Sequence, residues 1–254
     1  MLLKSVSDSE VIEIIGHRGA SGVAPENTKS AFLKAIEFGL KQVEFDVCLT
    51  KDGVPVVFHD ELINRCSNGR GRLSNLTLKE LESYDFGSWF HADFKGESIL
   101  TLEELLKLLS DNNVYAQLEL KLHKGVPASL LVANTLQVIS SMNVQCDQLT
   151  ISSFNRAALN LVAASAKQYK IAALFDRPKH DWKQWINECH ADYIHIDRSL
   201  VNGDFFKDIV NSGCGLRSYT VNDIKTARRL YALGVTGFFT DYPDRLDPRL
   251  IITK

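Results

Sequence analysis

No stretch of the 254-residue chain approaches the ~20 uncharged residues that a membrane-spanning helix needs, and Met1 to Glu10 reach no long apolar run before Glu13. The reading is a soluble, cytoplasmic protein with no visible export signal and no membrane insertion. Neither sign of charge dominates, because the net charge is −2 at pH 7 and both signs are spread along the sequence. A basic face for nucleic acid is therefore missing, and the expected partner is a small molecule. The five cysteines, Cys48, Cys66, Cys146, Cys189 and Cys214, are odd in number and scattered, with no paired spacing for zinc or a disulfide framework. Internal repeats, low-complexity stretches and linkers are also absent, so one domain over residues 1–254 is expected.

What is present is a rhythm. Short β-branched or apolar runs alternate with longer amphipathic segments, the pattern of parallel strands joined by helices. Strands are expected near Val11–Gly16, Gln42–Leu49, Val114–Lys121, Gln148–Ser153, Lys170–Phe175, Asp192–Asp197, Gly215–Val221 and Gly237–Asp241. Helical patterns lie between them, such as Lys29–Gly39, Leu102–Leu109, Ala157–Lys167 and Asn222–Leu233. Eight such units in this length fit an α/β fold, a (β/α)8 TIM barrel. Roughly 65 residues separate the second and third strands, far more than a crossover requires. A small subdomain is therefore expected between strand 2 and the following helix, at about residues 50–101, containing a strand at Val54–Phe58 and a short helix at Lys79–Ser83.

Alternate side chains of a barrel strand point inward, and the carboxyl ends of the strands build the active site. In the second strand Val43, Phe45 and Val47 suit packing under helices, which sends Gln42, Glu44 and Asp46 inward. The third repeats this: Val114, Ala116, Leu118 and Leu120 outward, and Tyr115, Gln117, Glu119 and Lys121 inward. Glu44, Asp46 and Glu119 then converge in a partly desolvated mouth, where they repel unless a cation holds them. Ion pairs with Arg18 and Lys121 are one solution. The preferred one is a hard divalent metal ion, Mg²⁺, Ca²⁺ or Mn²⁺, on all-oxygen ligands.

The stretch Ile14–Thr28 turns from a buried strand into a loop framed by Gly16, Gly19 and Gly22. It carries His17, a proton-transfer group, beside Arg18, whose guanidinium matches phosphate oxygens in pairs. A second histidine, His59, ends the apolar run Val56-Val57-Phe58, and a hairpin-like return through Lys51-Asp52-Gly53 brings it back over the mouth. Asp176, His195, Asp197 and Asp241 are also polar strand ends, but capping the next helix or loop explains them equally well. Glu26 and Asn27 most simply brace the first loop.

His17-Arg18-Gly19, followed by Ala24-Pro25-Glu26-Asn27-Thr28, resembles the opening motif of the glycerophosphodiester phosphodiesterases of the bacterial, soluble type. The likeness extends through Phe86–Phe90, Ser152–Asn155, Tyr219–Asn222 and Thr240–Pro243, with Tyr219 standing where that family often has tryptophan. The resemblance implies His17 and His59 as acid/base residues and Glu44, Asp46 and Glu119 as ligands of one divalent metal ion. It implies Arg18 and Lys121 as the phosphate-binding pair. The implied reaction is hydrolysis of a glycerophosphodiester to glycerol 3-phosphate and an alcohol. Two rivals stand beside it: a lysophospholipase D or sphingomyelinase D-like activity on the same barrel, and a non-catalytic barrel binding phosphoryl ligands.

Overall fold

The computed structural model describes residues 12–252; Met1–Glu10 and Val11, on which the reading of the amino terminus rests, lie outside them. The barrel begins with strand β1 (Glu13–Gly16), helix α1 (Lys29–Glu37) and strand β2 (Gln42–Leu49). The segment that follows holds β3 (Pro55–Val57), α2 (Leu78–Leu81) and β4 (Leu100–Thr101), which leads directly into α3 (Leu102–Asp111). From β5 (Tyr115–Leu120) the alternation is regular: α4 (Ala128–Ser141), β6 (Leu149–Ser153), α5 (Arg156–Ser165), β7 (Lys170–Phe175), α6 (Trp182–Glu188) and β8 (Tyr193–Asp197). The chain ends with α7 (Gly203–Val210), β9 (Gly215–Tyr219), α8 (Ile224–Tyr231), β10 (Gly237–Thr240) and α9 (Pro248–Ile252).

Strands β1, β2 and β5 to β10 pair in parallel, and β1 closes the ring by pairing with both β10 and β2. This is a closed eight-stranded (β/α)8 barrel. Several helices begin where the sequence supplies caps. Thr28 and Asn155 accept hydrogen bonds from the first turns of α1 and α5, and Thr101 with Glu104 forms a reciprocal capping box at α3. The outward-facing apolar set joins one core between sheet and helices, including Val43, Phe45, Val47, Ala116, Leu118 and Leu120. Burying that face removes it from water, the largest favourable contribution to folding.

β3 and β4 do not enter the ring. β3 pairs antiparallel with β2, and β4 pairs antiparallel with β3. Their segment has its own apolar cluster, in which Cys48, Val56, Phe58, Ile63, Leu73, Leu81 and Phe86 pack together. The backbone is thus attached to the rim at β2, and residues 58 to 65 lie beside the barrel mouth.

The barrel interior is layered. At its amino-terminal end Arg217, 1% exposed, donates through Nε and Nη2 to Glu13 at 2.7 and 2.9 Å and through Nη1 to Gln117 at 3.1 Å. Gln117 donates to Gln42 at 2.9 Å, and the Arg217 guanidinium stacks 3.6 Å over the Tyr193 ring. These polar side chains close the floor on which the active layer rests.

Candidate active site

The register of β2 against β5 places Asp46 opposite Glu119 and Glu44 opposite Gln117. The period of two then points the three acids into one volume, and ligand oxygens of Glu44, Asp46 and Glu119 all lie within 4.8 Å of one another. All three are buried. Burial pushes the Glu44 carboxyl well up, and the charges of Asp46 and Glu119 add to it. Glu119 is pushed up to about 7 by burial and by Asp46, against the pull of Lys121. Burial would raise Asp46 too, but Lys121 and Arg18 beside it hold its carboxyl far below the usual range.

The ion pairs read as the alternative to a metal are present in this structure. Lys121 Nζ stands 2.7 Å from Glu119 and 3.2 Å from Asp46, and Arg18 Nε is 3.3 Å from Asp46. Two cations nonetheless face three carboxylates. The donor set is all oxygen, tightly grouped and short of positive charge, so these residues fit a hard divalent cation.

Arg18 is held by its backbone as well. Its φ of +54° is one that side-chain-bearing residues seldom adopt, and its N–H donates to Glu44 Oε2 at 3.0 Å. Asn27, at φ +58°, donates from Nδ2 to Asp46 Oδ2 at 2.9 Å. The loop after β1 is thereby tied twice to the acidic strand.

The two histidines have matching surroundings. His17 Nδ1–H donates to Asp241 at 2.7 Å, and His59 Nδ1–H donates to Asp60 at 2.6 Å. A carboxylate on Nδ1 fixes the tautomer and leaves Nε2 to act on a ligand. Burial, then the charges of Lys121 and Arg18, pulls His59 below its ordinary range, with Asp46 and Asp60 opposing. Both rings, with Arg18, Glu44, Glu119 and Lys121, line an inner cavity of about 120 Å³ whose far wall is Ser152, Leu174, His195, Tyr219 and Phe239. An outer cavity of about 460 Å³ continues past His59, Lys121 and Phe154 to Asp60, Glu61 and His123. Tyr219 donates from its hydroxyl to the Phe175 carbonyl at 2.9 Å and meets Phe154 edge to face, so it serves as a wall between aromatic neighbours.

Of the seven residues singled out from the sequence, His17, Arg18, Glu44, His59, Glu119 and Lys121 line one cavity, and Asp46 lies directly behind it against Lys121 and Arg18. Sequence reasoning missed the partners that orient them. Asp241 reads as a cap and turns out to hold His17. His195, buried and pulled well below its ordinary range by burial and by Arg217, reads as a strand end and lines the inner cavity. Among the described residues no helix is long and apolar enough to cross a membrane.

Comparison with known proteins points to one family. A sequence profile described as the Glycerophosphoryl diester phosphodiesterase family matches residues 17–245. A glycerophosphodiester phosphodiesterase of Caldanaerobacter subterraneus subsp. tengcongensis is 35% identical, the match covering 92% of this chain and 95% of that one. An Oleispira antarctica phosphodiesterase, solved in complex with the product sn-glycerol-3-phosphate, superposes with a TM-score of 0.87 at 33% identity, covering 92% and 94% of the two chains. The glycerophosphodiester phosphodiesterase of Agrobacterium tumefaciens C58 has a TM-score of 0.77 at 25% identity over 92% and 98%. On the matched profile, the shared barrel and this identity over nearly the whole chain, the protein belongs to the glycerophosphoryl diester phosphodiesterase family of hydrolases.

Proposed function

We propose that this enzyme hydrolyses glycerophosphodiesters to glycerol 3-phosphate and an alcohol, dependent on one divalent metal ion, Mg²⁺, Ca²⁺ or Mn²⁺. The observation that carries the reading is the pair of histidines, each held on Nδ1 by a carboxylate, that line the same cavity as Glu44, Glu119, Arg18 and Lys121, with Asp46 paired to both cations behind them. The likeness to a phosphodiesterase solved with sn-glycerol-3-phosphate supports the glycerol phosphate half of the substrate.

Glu44, Asp46 and Glu119 would hold the metal ion, which when bound supplies positive charge to the phosphoryl oxygens. Arg18 and Lys121 bind and orient the phosphodiester and neutralise charge as it builds in the transition state. One imidazole takes the proton of the attacking hydroxyl at Nε2, and the other returns one to the departing alkoxide. The attacking hydroxyl is that of water or the 2-hydroxyl of the glycerol unit. A 2-deoxyglycerol substrate decides between them, because its normal turnover removes the route through a cyclic phosphate.

The alcohol headgroup faces the outer cavity, beside the segment over residues 50–101. We take that segment as a subdomain of a single barrel domain over the whole chain, and the cytoplasm as the site of action, in keeping with five free thiols.

The deciding experiment measures glycerol 3-phosphate released from glycerophosphocholine, glycerophosphoethanolamine and glycerophosphoglycerol after chelation, and again with each cation restored. Metal-restored release from a diester, with no release from a monoester, is expected. Folded protein that releases nothing with any cation, or that prefers lysophospholipids, would sink the proposal.

A further inference from the structure

The mechanism above gives Arg65 no task, yet this side chain is tied more fully than its exposure suggests. It sits between Ile63 and Cys66, both buried in the cluster of the inserted segment, while its own side chain is 46% exposed. Its guanidinium donates four hydrogen bonds. Nε and Nη2 reach Asp60 at 2.7 and 3.0 Å, and Nη1 and Nη2 reach Glu26 at 2.6 and 2.8 Å. Both contacts are forked, a geometry that fixes the plane of each carboxylate.

Each carboxylate has a second partner. Asp60 Oδ1 accepts from His59 Nδ1 at 2.6 Å, and Glu26 Oε1 accepts from Arg18 Nη1 at 2.7 Å. Arg18 continues the line to Asp46. Hydrogen bonds and ion pairs thus run without a break from His59 to Asp46, crossing from the segment after β3 to the loop after β1 through Arg65.

We infer that Arg65 is a positioning residue, whose planar fork locks the Asp60 and Glu26 carboxylates and through them sets the direction of the His59 imidazole and the Arg18 guanidinium. With the guanidinium open to solvent these ion pairs are screened and contribute modestly to stability, so the main yield of the arrangement is orientation. The two ends do not depend on it equally. Arg18 keeps its ties to Asp46 and Glu44 without Arg65. The His59 ring is held by Asp60, and Asp60 by Arg65. Loss of the fork should therefore act on turnover more than on substrate binding. Lysine keeps the charge but, as a point donor, cannot hold two carboxylate planes at once.

The inference rests on the diesterase reading and on His59 acting in it, so two readouts are used. Turnover of glycerophosphocholine by the metal-loaded wild type tests the reading itself. Arg65→Lys is then expected to lower kcat by ~10-fold or more with KM within ~3-fold and an unchanged melting temperature. Guanidinium ion added to Arg65→Ala is expected to recover several-fold of its lost kcat, on the order of the loss in Arg65→Lys. Independently of activity, imidazole ¹⁵N spectra should show His59 as the Nδ1–H tautomer in the wild type and as a mixture in Arg65→Lys. If Arg65→Ala fails to fold, Arg65→Lys carries both readouts. Wild-type kcat together with an unmixed His59 tautomer in Arg65→Lys overturns the inference, and so does a loss confined to KM.

Discussion

His17 Nδ1 lies 2.7 Å from Asp241 Oδ1, a contact between the residues that directly follow the first and last barrel strands, 224 positions apart. The carboxylate has two further donors: Ser21 donates to the same oxygen at 2.9 Å and Asn222 to Oδ2 at 2.8 Å. Burial alone would raise its pKa, but His17, Asn222 and Ser21 bring it down to about 2, so it is an anion at any working pH. Asp241→Asn keeps the shape and loses the charge that fixes the His17 tautomer. The expected result is a fall in kcat on the order of 100-fold with KM changed a few-fold at most. Steady-state kinetics on the metal-loaded variant checks it, and an unchanged kcat would remove His17 from the proton-transfer role.

Glu119 gives a pH signature. Its folded pKa of about 7 lies above the unfolded value, so between roughly pH 4.5 and 7 the native state binds a proton that the unfolded state does not. Stability from this group is therefore present at low pH and is lost as pH rises through 7. Without added cation, Glu119→Gln should gain in melting temperature relative to wild type as pH goes from 5 to 8. Restoring Mg²⁺ or Ca²⁺ should raise the wild-type melting temperature more at pH 8 than at pH 5.5, because the ligand must first lose its proton. In Glu119→Gln this rise should be much smaller. A pH-independent difference between the two proteins would show that Glu119 is already ionised at pH 5.

Much of this layer was legible in the sequence because strand side chains alternate with period two. Gln42, Glu44 and Asp46, then Gln117, Glu119 and Lys121, read as inward-facing without any knowledge of pairing. What alternation does not encode is register across distant strands. That Asp46 stands opposite Glu119 depends on how the whole ring closes. Asp241 shows the same limit: a carboxylate at a strand end caps a loop as plausibly as it orients a histidine, and nothing local records that β10 lies beside β1. Asp60 and Arg65 are hidden differently. Their roles come from the path of an inserted segment that has its own small core and no periodic pattern to follow.

Below the active layer, Glu13 and Arg217 form an ion pair in which the guanidinium is almost wholly removed from water. Removing one partner of such a pair leaves the other charge buried without compensation. Glu13→Ala is expected to destabilise the fold by on the order of 3 kcal/mol in denaturant unfolding. The kcat of the remaining folded enzyme should change little, since Glu13 sits beneath the acids and touches none of the seven site residues. A stability within error of wild type would mean that Gln117 and the Tyr193 ring suffice to hold Arg217.

Gly19 couples the fold to the site most directly. Its φ is +83°, and a Cβ there would stand 2.7 Å from the Ala31 carbonyl carbon and 2.8 Å from the Ala31 Cβ. Alanine is strained on both counts, by backbone conformation and by collision with α1, a rigid neighbour whose N-terminal turn cannot yield cheaply. The loop must move instead, and Arg18 precedes Gly19 with its N–H aimed at Glu44. Gly19→Ala should therefore lower stability by roughly 1–3 kcal/mol and also raise KM for the diester, as Arg18 turns from the position in which we propose it binds phosphate. A thermal melt read beside KM separates the two effects. If stability falls and KM stays at the wild-type value, the ties from Arg18 to Asp46 and Glu26 hold that guanidinium in place without help from the turn.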